Sequence, residues 1–131
     1  MIELRDATKT YRKSGAAPVK ALDHISLTVE KGEFVAVLGP SGSGKSTLMS
    51  VMGLLDRPDG GAYILNGRPV QDLSDGELAS LRNSFIGFVF QSYHLLPRTT
   101  SLENVQLPLL YAKKKDYKHL GEAALVSVGL A

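Results

Sequence analysis

Several features common in proteins are missing from this chain of 131 residues, and each absence removes a class of function. There is no cysteine, which excludes disulfide frameworks, thiolate zinc sites and cysteine nucleophiles. The 15 lysines and arginines against 13 aspartates and glutamates leave a net charge of +2, too balanced for a surface that binds nucleic acid. The longest tight apolar run, residues 34–38, is far shorter than a membrane span. We therefore expect no nucleic-acid partner, and contact with a membrane only through another protein.

Apolar periodicity predicts the order of the strands and helices. Alternation of apolar and polar residues predicts short strands at residues 2–5 and 25–29, and a strand at 62–65 is closed by Asn66-Gly67. Continuous apolar runs predict two strands of a parallel sheet, Phe34–Leu38, buried on both faces, and Ile86–Phe90. Helical spacing predicts helices at residues 47–55, 74–81 and 117–130, and a further one that opens at Thr100–Glu103 and that Pro108 interrupts or ends. This order indicates an α/β fold with an added antiparallel piece.

A glycine-rich loop follows the run at 34–38 directly. Residues 39–47 read GPSGSGKST, in which Gly39, Gly44, Lys45 and Ser46 fill the fixed positions of the G-x-x-x-x-G-K-[ST] motif. Glycines let successive N–H groups point at phosphate oxygens, and the helix that follows adds its N-terminal dipole. The lysine supplies a positive charge that reaches the outer phosphates, and the serine hydroxyl can ligate magnesium. The loop therefore predicts a site for a nucleoside triphosphate.

The segment Leu73-Ser74-Asp75-Gly76-Glu77 looks like a different motif, a signature sequence that begins Leu-Ser-Gly-Gly. Ser74 and Glu77 are three residues apart at the start of a helical pattern, so a helix capping box explains them. The segment also precedes the glutamine of GFVFQ (residues 87–91), whereas the signature comes after it. We therefore do not assign the segment as a signature motif.

Three features together resemble one family of phosphate-loop proteins. They are Tyr11 upstream of the loop, the GFVFQ strand about forty-five residues after Lys45, and the antiparallel-looking material before residue 34. Over essentially the whole chain the sequence resembles the ATP-binding subunit of ABC transporters. The segment from Ile86 to Tyr111 is more narrowly similar to the branch that acts in lipoprotein release, macrolide export and resistance to peptide antibiotics.

The resemblance implies a set of site residues and partners. Tyr11 would stack on adenine, Gln91 would contact magnesium and the attacking water, and Ser46 would ligate the same Mg²⁺. ATP would be bound by the loop as a whole, Gly39, Pro40, Ser41, Gly42, Ser43, Gly44, Lys45, Ser46 and Thr47. The implied partners are a transmembrane permease and a second ATP-binding subunit in a head-to-tail dimer. The implied location is the cytoplasm, at the inner face of the cell membrane.

The resemblance also implies that several functional motifs of the family lie beyond this sequence. The family's signature motif, magnesium-binding aspartate, catalytic glutamate and switch histidine have no match here, so we expect an N-terminal fragment that does not hydrolyse ATP alone. Its expected parts are a β subdomain with the loop at 1–67, and the glutamine loop with the start of a helical subdomain at 68–131. Two alternatives stay open: a cell-division relative of the same family, and a phosphate-loop protein without a transport role, such as a small-molecule kinase.

Overall fold

A computed structural model of the protein describes residues 1–130 and divides the chain into two compact units. The first unit is Met1–Leu78, and the second begins at Ala79. In chain order the elements are β1 (Ile2–Tyr11), β2 (Val19–Val29), α1 (Lys45–Met52), β3 (Gly60–Leu65), β4 (Arg68–Pro69), α2 (Asp75–Phe85), α3 (Ser101–Tyr111) and α4 (Tyr117–Ser127). All four strands and α1 therefore belong to the first unit.

The four strands form one antiparallel sheet in the order β2-β1-β3-β4. Leu4 in the central strand β1 lies opposite Leu27 of β2 and Tyr63 of β3. Asn66 and Gly67 join β3 to β4 with φ angles of 50° and 79°, the left-handed values that a tight hairpin turn requires. The strands predicted at 2–5, 25–29 and 62–65 are confirmed, and each lies within a longer strand of the structure.

A small apolar core lies between this sheet and the neighbouring segments of the first unit. Its buried side chains are Leu4, Ala7, Leu22, Val51, Leu54, Tyr63, Leu65, Val70 and Leu78. Tyr63 is fully buried, and its hydroxyl donates a hydrogen bond of 2.6 Å to the carbonyl of Met52. Burial raises the pKa of this phenol to about 12. Tyr63 thereby attaches β3 to the last residue of α1.

The two predicted parallel-sheet strands are wrong for the structure as described. Residues 34–38 and 86–90 have no regular secondary structure. Phe34 and Leu38 are 93% and 89% exposed, and Val89 is fully exposed. Apolar runs form strands only where a neighbouring strand takes up their N–H and C=O groups, and within residues 1–130 every paired strand belongs to the antiparallel sheet.

The predicted helix starts are confirmed, but the predicted ends differ. Before α2, the Ser74 N–H donates to the Glu77 carboxylate at 2.9 Å and the Glu77 N–H donates to the Ser74 hydroxyl at 3.4 Å, the capping box expected there. Thr100 and Glu103 form the same reciprocal cap on α3. The prediction that Pro108 interrupts or ends α3 is wrong, because the helix continues to Tyr111. Pro108 lacks the N–H donor of a regular helical residue, but its carbonyl keeps the helical hydrogen bond from the Ala112 N–H and also accepts one from the Asn83 side chain.

In the second unit, α3 packs against α4. Gly121 of α4 is buried, and a Cβ there would meet the Gln106 side chain of α3, so glycine allows the two helices to approach closely. The helices of residues 1–130 are 8 to 11 residues long, and none of them is long and apolar enough to cross a membrane.

Candidate functional site

The glycine-rich loop turns sharply and leads directly into α1. The Ser43 N–H donates to the Pro40 carbonyl at 3.4 Å, and the chain then passes through Gly42 and Gly44, with φ angles of 81° and 89°. These left-handed values favour glycine. Gly44 is also the N-cap of α1, and a Cβ there would meet the Ala21 carbonyl oxygen of β2. Glycine at position 44 is therefore required both by its φ angle and by the adjacent strand.

The N-terminus of α1 presents the backbone groups that bind anions. Its first intrahelical hydrogen bond runs from the Leu48 N–H to the Gly44 carbonyl at 2.8 Å. The N–H groups of Lys45, Ser46 and Thr47 precede that bond and have no acceptor within the helix. No side chain caps this end of α1, and Ser46 is exposed. The free N–H groups and the helix dipole favour a negatively charged group here.

The side chain of Lys45 bends back over the glycine-rich loop. Its Nζ donates hydrogen bonds to the carbonyls of Gly39 and Pro40 at 2.8 and 2.6 Å, and lies 3.5 Å from the Ser43 hydroxyl. Carbonyl oxygens carry only partial charge, so an anionic oxygen is a stronger acceptor for the same ammonium group. The structure thus places a cation and the amide groups of a helix N-terminus at one loop.

An open cleft of about 500 Å³ borders the glycine-rich loop. One wall consists of Gly39, Pro40, Gly42, Ser43, Gly44 and Lys45, and the other is residues 20–23 of β2. Tyr11 does not line this cleft. Six of the nine predicted loop residues therefore border one cleft, and the other three, Ser41, Ser46 and Thr47, do not line it.

Tyr11, the last residue of β1, contacts α1 and the segment that follows it. Its hydroxyl donates to Asp56 Oδ2 at 2.8 Å and also has a hydrogen-bonding contact with the Thr47 side chain. The Lys9 ammonium lies over its ring, 5.6 Å from the centroid. The residue as a whole remains 42% exposed. The structure thus connects the predicted base-stacking residue to the third residue of α1, which closes the glycine-rich loop.

The Asp56 carboxylate that accepts the Tyr11 hydroxyl belongs to a cluster of two carboxylates and one ammonium group. Lys9 Nζ lies 2.7 Å from Asp56 Oδ1 and 3.2 Å from Asp59 Oδ1. Partial burial opposes ionisation of Asp56, but hydrogen bonds from Lys9, Tyr11 and the Arg57 N–H outweigh it, so the pKa of this carboxyl is lowered. Burial likewise opposes the charge on Lys9, yet its two carboxylate partners raise the pKa of the amine. Both groups are therefore charged at neutral pH.

A protein-family model described as ABC transporter matches residues 22–130. This chain belongs to the ABC transporter family. The family match does not favour the alternative of a small-molecule kinase. The relatives YvrO and MacB bear the names of transport proteins rather than of cell-division proteins.

Two relatives of this ABC transporter chain illustrate the similarity. The chain is 52% identical to the uncharacterized ABC transporter ATP-binding protein YvrO of Bacillus subtilis, over 99% of this chain and 57% of YvrO. It is 53% identical to the macrolide export ATP-binding/permease protein MacB of Chlorobaculum tepidum, over 100% of this chain and 20% of MacB. The chain thus spans little more than half of one relative and a fifth of the other.

Two solved structures of one ABC transporter cassette, MJ0796, share the fold. Its dimeric structure aligns with a TM-score of 0.78 at 47% identity, over 85% of this chain and 47% of the cassette chain. A dimeric structure of a post-hydrolysis state bound to ADP and Pi aligns with a TM-score of 0.85 at 40% identity, over 95% of this chain and 56% of that chain. The ABC ATPase fold expected from the sequence is confirmed.

The remaining predicted site residue of this ABC transporter chain, Gln91, lies in the second unit. It is exposed, in a bend directly after residues 86–90. In the same segment the rings of Phe88 and Phe90 stack with centroids 5.3 Å apart, and His94 meets Phe90 edge-on at 4.8 Å. Within residues 1–130 no three histidine or acidic side chains are grouped to hold a metal ion.

Sequence reasoning missed the partners of Tyr11. Lys9 could have been found, because residues two apart in a strand share a face and Lys9 precedes Tyr11 by two positions. Asp56 carried no such signal, since the run Asp56–Gly61 indicates only a chain turn. Its proximity to Tyr11 depends on how β1 runs beside the segment after α1.

Proposed function

We propose that this chain binds ATP with Mg²⁺ at the glycine-rich loop, as the N-terminal part of the ATP-binding subunit of an ABC exporter. The observation that carries the proposal is the position of Lys45, whose ammonium group is held over the loop by the Gly39 and Pro40 carbonyls beside the open N-terminus of α1. A cation and free amide groups at one loop are the chemistry that recognises a polyphosphate.

In this proposal each site residue has a distinct role. Phosphate oxygens take the N–H groups of residues 41–47 and replace the loop carbonyls as acceptors for Lys45. Mg²⁺, which neutralises phosphate charge when it is bound, is held by the Ser46 hydroxyl and the Gln91 side chain. Tyr11 provides a half-exposed ring on which the adenine base stacks.

We further propose that the protein works with partners at a membrane. The MacB relatives are named as combined ATP-binding and permease proteins, and the MJ0796 cassettes are dimeric. These names support a transmembrane permease as one partner and a second ATP-binding subunit, in a head-to-tail dimer, as the other. The chain is then cytoplasmic and attached to the inner face of the membrane by the permease. Residues 1–67 form its β subdomain with the loop, and 68–131 the glutamine loop and the start of the helical subdomain.

The test is calorimetric titration of the chain with Mg-ATP, comparing the natural sequence with Lys45→Ala. Losing a charge-assisted contact to phosphate should weaken binding by about ten-fold or more. Lys31→Ala, which removes an exposed lysine from the turn after β2, is the matched control and should bind as the natural sequence does. An affinity of Lys45→Ala within about three-fold of the natural sequence, under roughly 0.7 kcal/mol, would show that the assignment of the loop is wrong.

A further inference from the structure

The carboxylate of Asp56 contacts both groups that orient the Tyr11 ring. Its Oδ2 accepts the Tyr11 hydroxyl at 2.8 Å, and its Oδ1 accepts the Lys9 ammonium at 2.7 Å. Lys9 in turn lies over the ring of Tyr11 and also donates to the Arg57 carbonyl at 2.7 Å. One side chain therefore holds both the hydroxyl end of the Tyr11 ring and the cation that lies over this ring.

The rest of the ring is left accessible. Lys9 has a side chain only 12% exposed, whereas Tyr11 is 42% exposed. An aromatic ring whose hydroxyl is anchored and which has a cation over it loses little rotamer freedom when a second ring stacks on it. These are the properties expected of a preorganised stacking surface rather than of a mobile exposed side chain.

The chain geometry after α1 brings Asp56 to this place. Leu54 adopts a left-handed φ of 57°, which is unfavourable for leucine, while its side chain is 4% exposed in the core. The Leu55 N–H then bonds back to the Ser50 carbonyl at 2.8 Å, and the Asp56 N–H to the same carbonyl at 3.2 Å. Burial of Leu54 holds the turn, and the turn directs Asp56 toward the end of β1.

We propose that Asp56 is a positioning residue for nucleotide binding, which holds Tyr11 as a rigid surface for the base. The inference rests on the proposed function, because it assumes that a nucleotide bound at the glycine-rich loop stacks its base on Tyr11. Asp56 does not touch the nucleotide. It acts through the Tyr11 hydroxyl and Lys9, so it affects ligands that carry a base and leaves the phosphate contacts unchanged.

The experiment compares Mg-ATP with Mg-tripolyphosphate, which offers the phosphates without a base, by calorimetric titration of the chain. Asp56→Ala should weaken ATP by about five-fold, since one exposed hydrogen bond to a carboxylate corresponds to a factor of this order. Tripolyphosphate affinity should stay within about two-fold. Asp72→Ala is the matched control, because Asp72 is an exposed carboxylate of the same unit and is not among the residues that contact Tyr11 or Lys9. It should bind both ligands nearly as the natural sequence does.

A double variant separates positioning from a general structural role. In the Tyr11→Ala background the ring is gone, so adding Asp56→Ala should not weaken ATP further. An additional loss there of the same size, or an equal loss for tripolyphosphate, would overturn the proposal. If Tyr11→Ala itself leaves ATP affinity unchanged, the base does not use this ring and the inference fails while the loop assignment stands. If neither ligand binds the natural sequence, the proposed function fails and the inference fails with it.

Discussion

The hydroxyl of Tyr63 offers a direct test of how α1 is held in place. Tyr63→Phe keeps the fully buried ring and deletes only the donor to the Met52 carbonyl, 2.6 Å away at the last residue of α1. Removing one partner of a hydrogen bond in a poorly hydrated place costs about 1–3 kcal/mol, more than the bond itself contributes, because the remaining carbonyl loses this donor. We expect the free energy of unfolding at neutral pH to fall by that amount.

The same substitution should change the response to alkali. Burial raises the pKa of Tyr63 to about 12, whereas an exposed tyrosine titrates near 10. The unfolded chain therefore loses this proton first as pH rises, so the contribution to stability is complete below about pH 10 and is lost through about pH 12. The loss amounts to roughly 2–3 kcal/mol at most for this group. Tyr63→Phe has no such proton, and its stability should depend less on pH in this window.

The assay is urea unfolding followed by circular dichroism at pH 8 and at several values between pH 10 and 12. Tyr111→Phe is the control, because Tyr111 is 75% exposed and should change stability by no more than about 0.5 kcal/mol. If Tyr63→Phe unfolds with the same midpoint as the natural sequence at pH 8 and the same slope against pH above 10, the hydroxyl does not hold α1 and the reasoning is refuted.

Two further predictions concern the base-stacking residue and the cap of α2. Tyr11→Ala should weaken ATP binding by roughly 1–3 kcal/mol, because base stacking is lost. Tyr11→Phe should weaken ATP binding by only about 0.5–1.5 kcal/mol, because it loses only the hydrogen bond to Asp56, and titration measures both. Equal losses in both variants would assign the whole effect to the hydroxyl. Ser74→Ala should lower the free energy of unfolding by about 1 kcal/mol and leave ATP affinity unchanged, with the exposed Ser80→Ala as control. If Ser74→Ala instead lost most of its nucleotide-driven dimerisation at unchanged stability, Ser74 would have to be assigned to a signature motif.

The features that sequence analysis predicted well are local in their physics. The glycine-rich loop, the capping boxes before α2 and α3 and the turn at Asn66–Gly67 each depend on a few adjacent residues, and the structure has all of them. Contacts between residues far apart in the chain could not be predicted in this way. The run at 34–38 is apolar enough for a buried strand, but apolarity does not specify a partner strand. The contact of Asp56 with Tyr11 spans 45 residues and follows from the path of β1.

The close approach of Gly44 to the Ala21 carbonyl places an evolutionary and engineering constraint on β2, a strand in which the sequence predicts no ligand-binding residue. The loop between β1 and β2, residues 12–18, is exposed and should accept changes of length. A shift of β2 by one residue along β1 is different, because it would replace the Ala21 carbonyl against Gly44 by a group that points to the opposite side. The change of sheet register would then alter the shape of the glycine-rich loop through its contact with β2. Screens for variants with altered nucleotide affinity should therefore recover substitutions in β2 as well as in the loop.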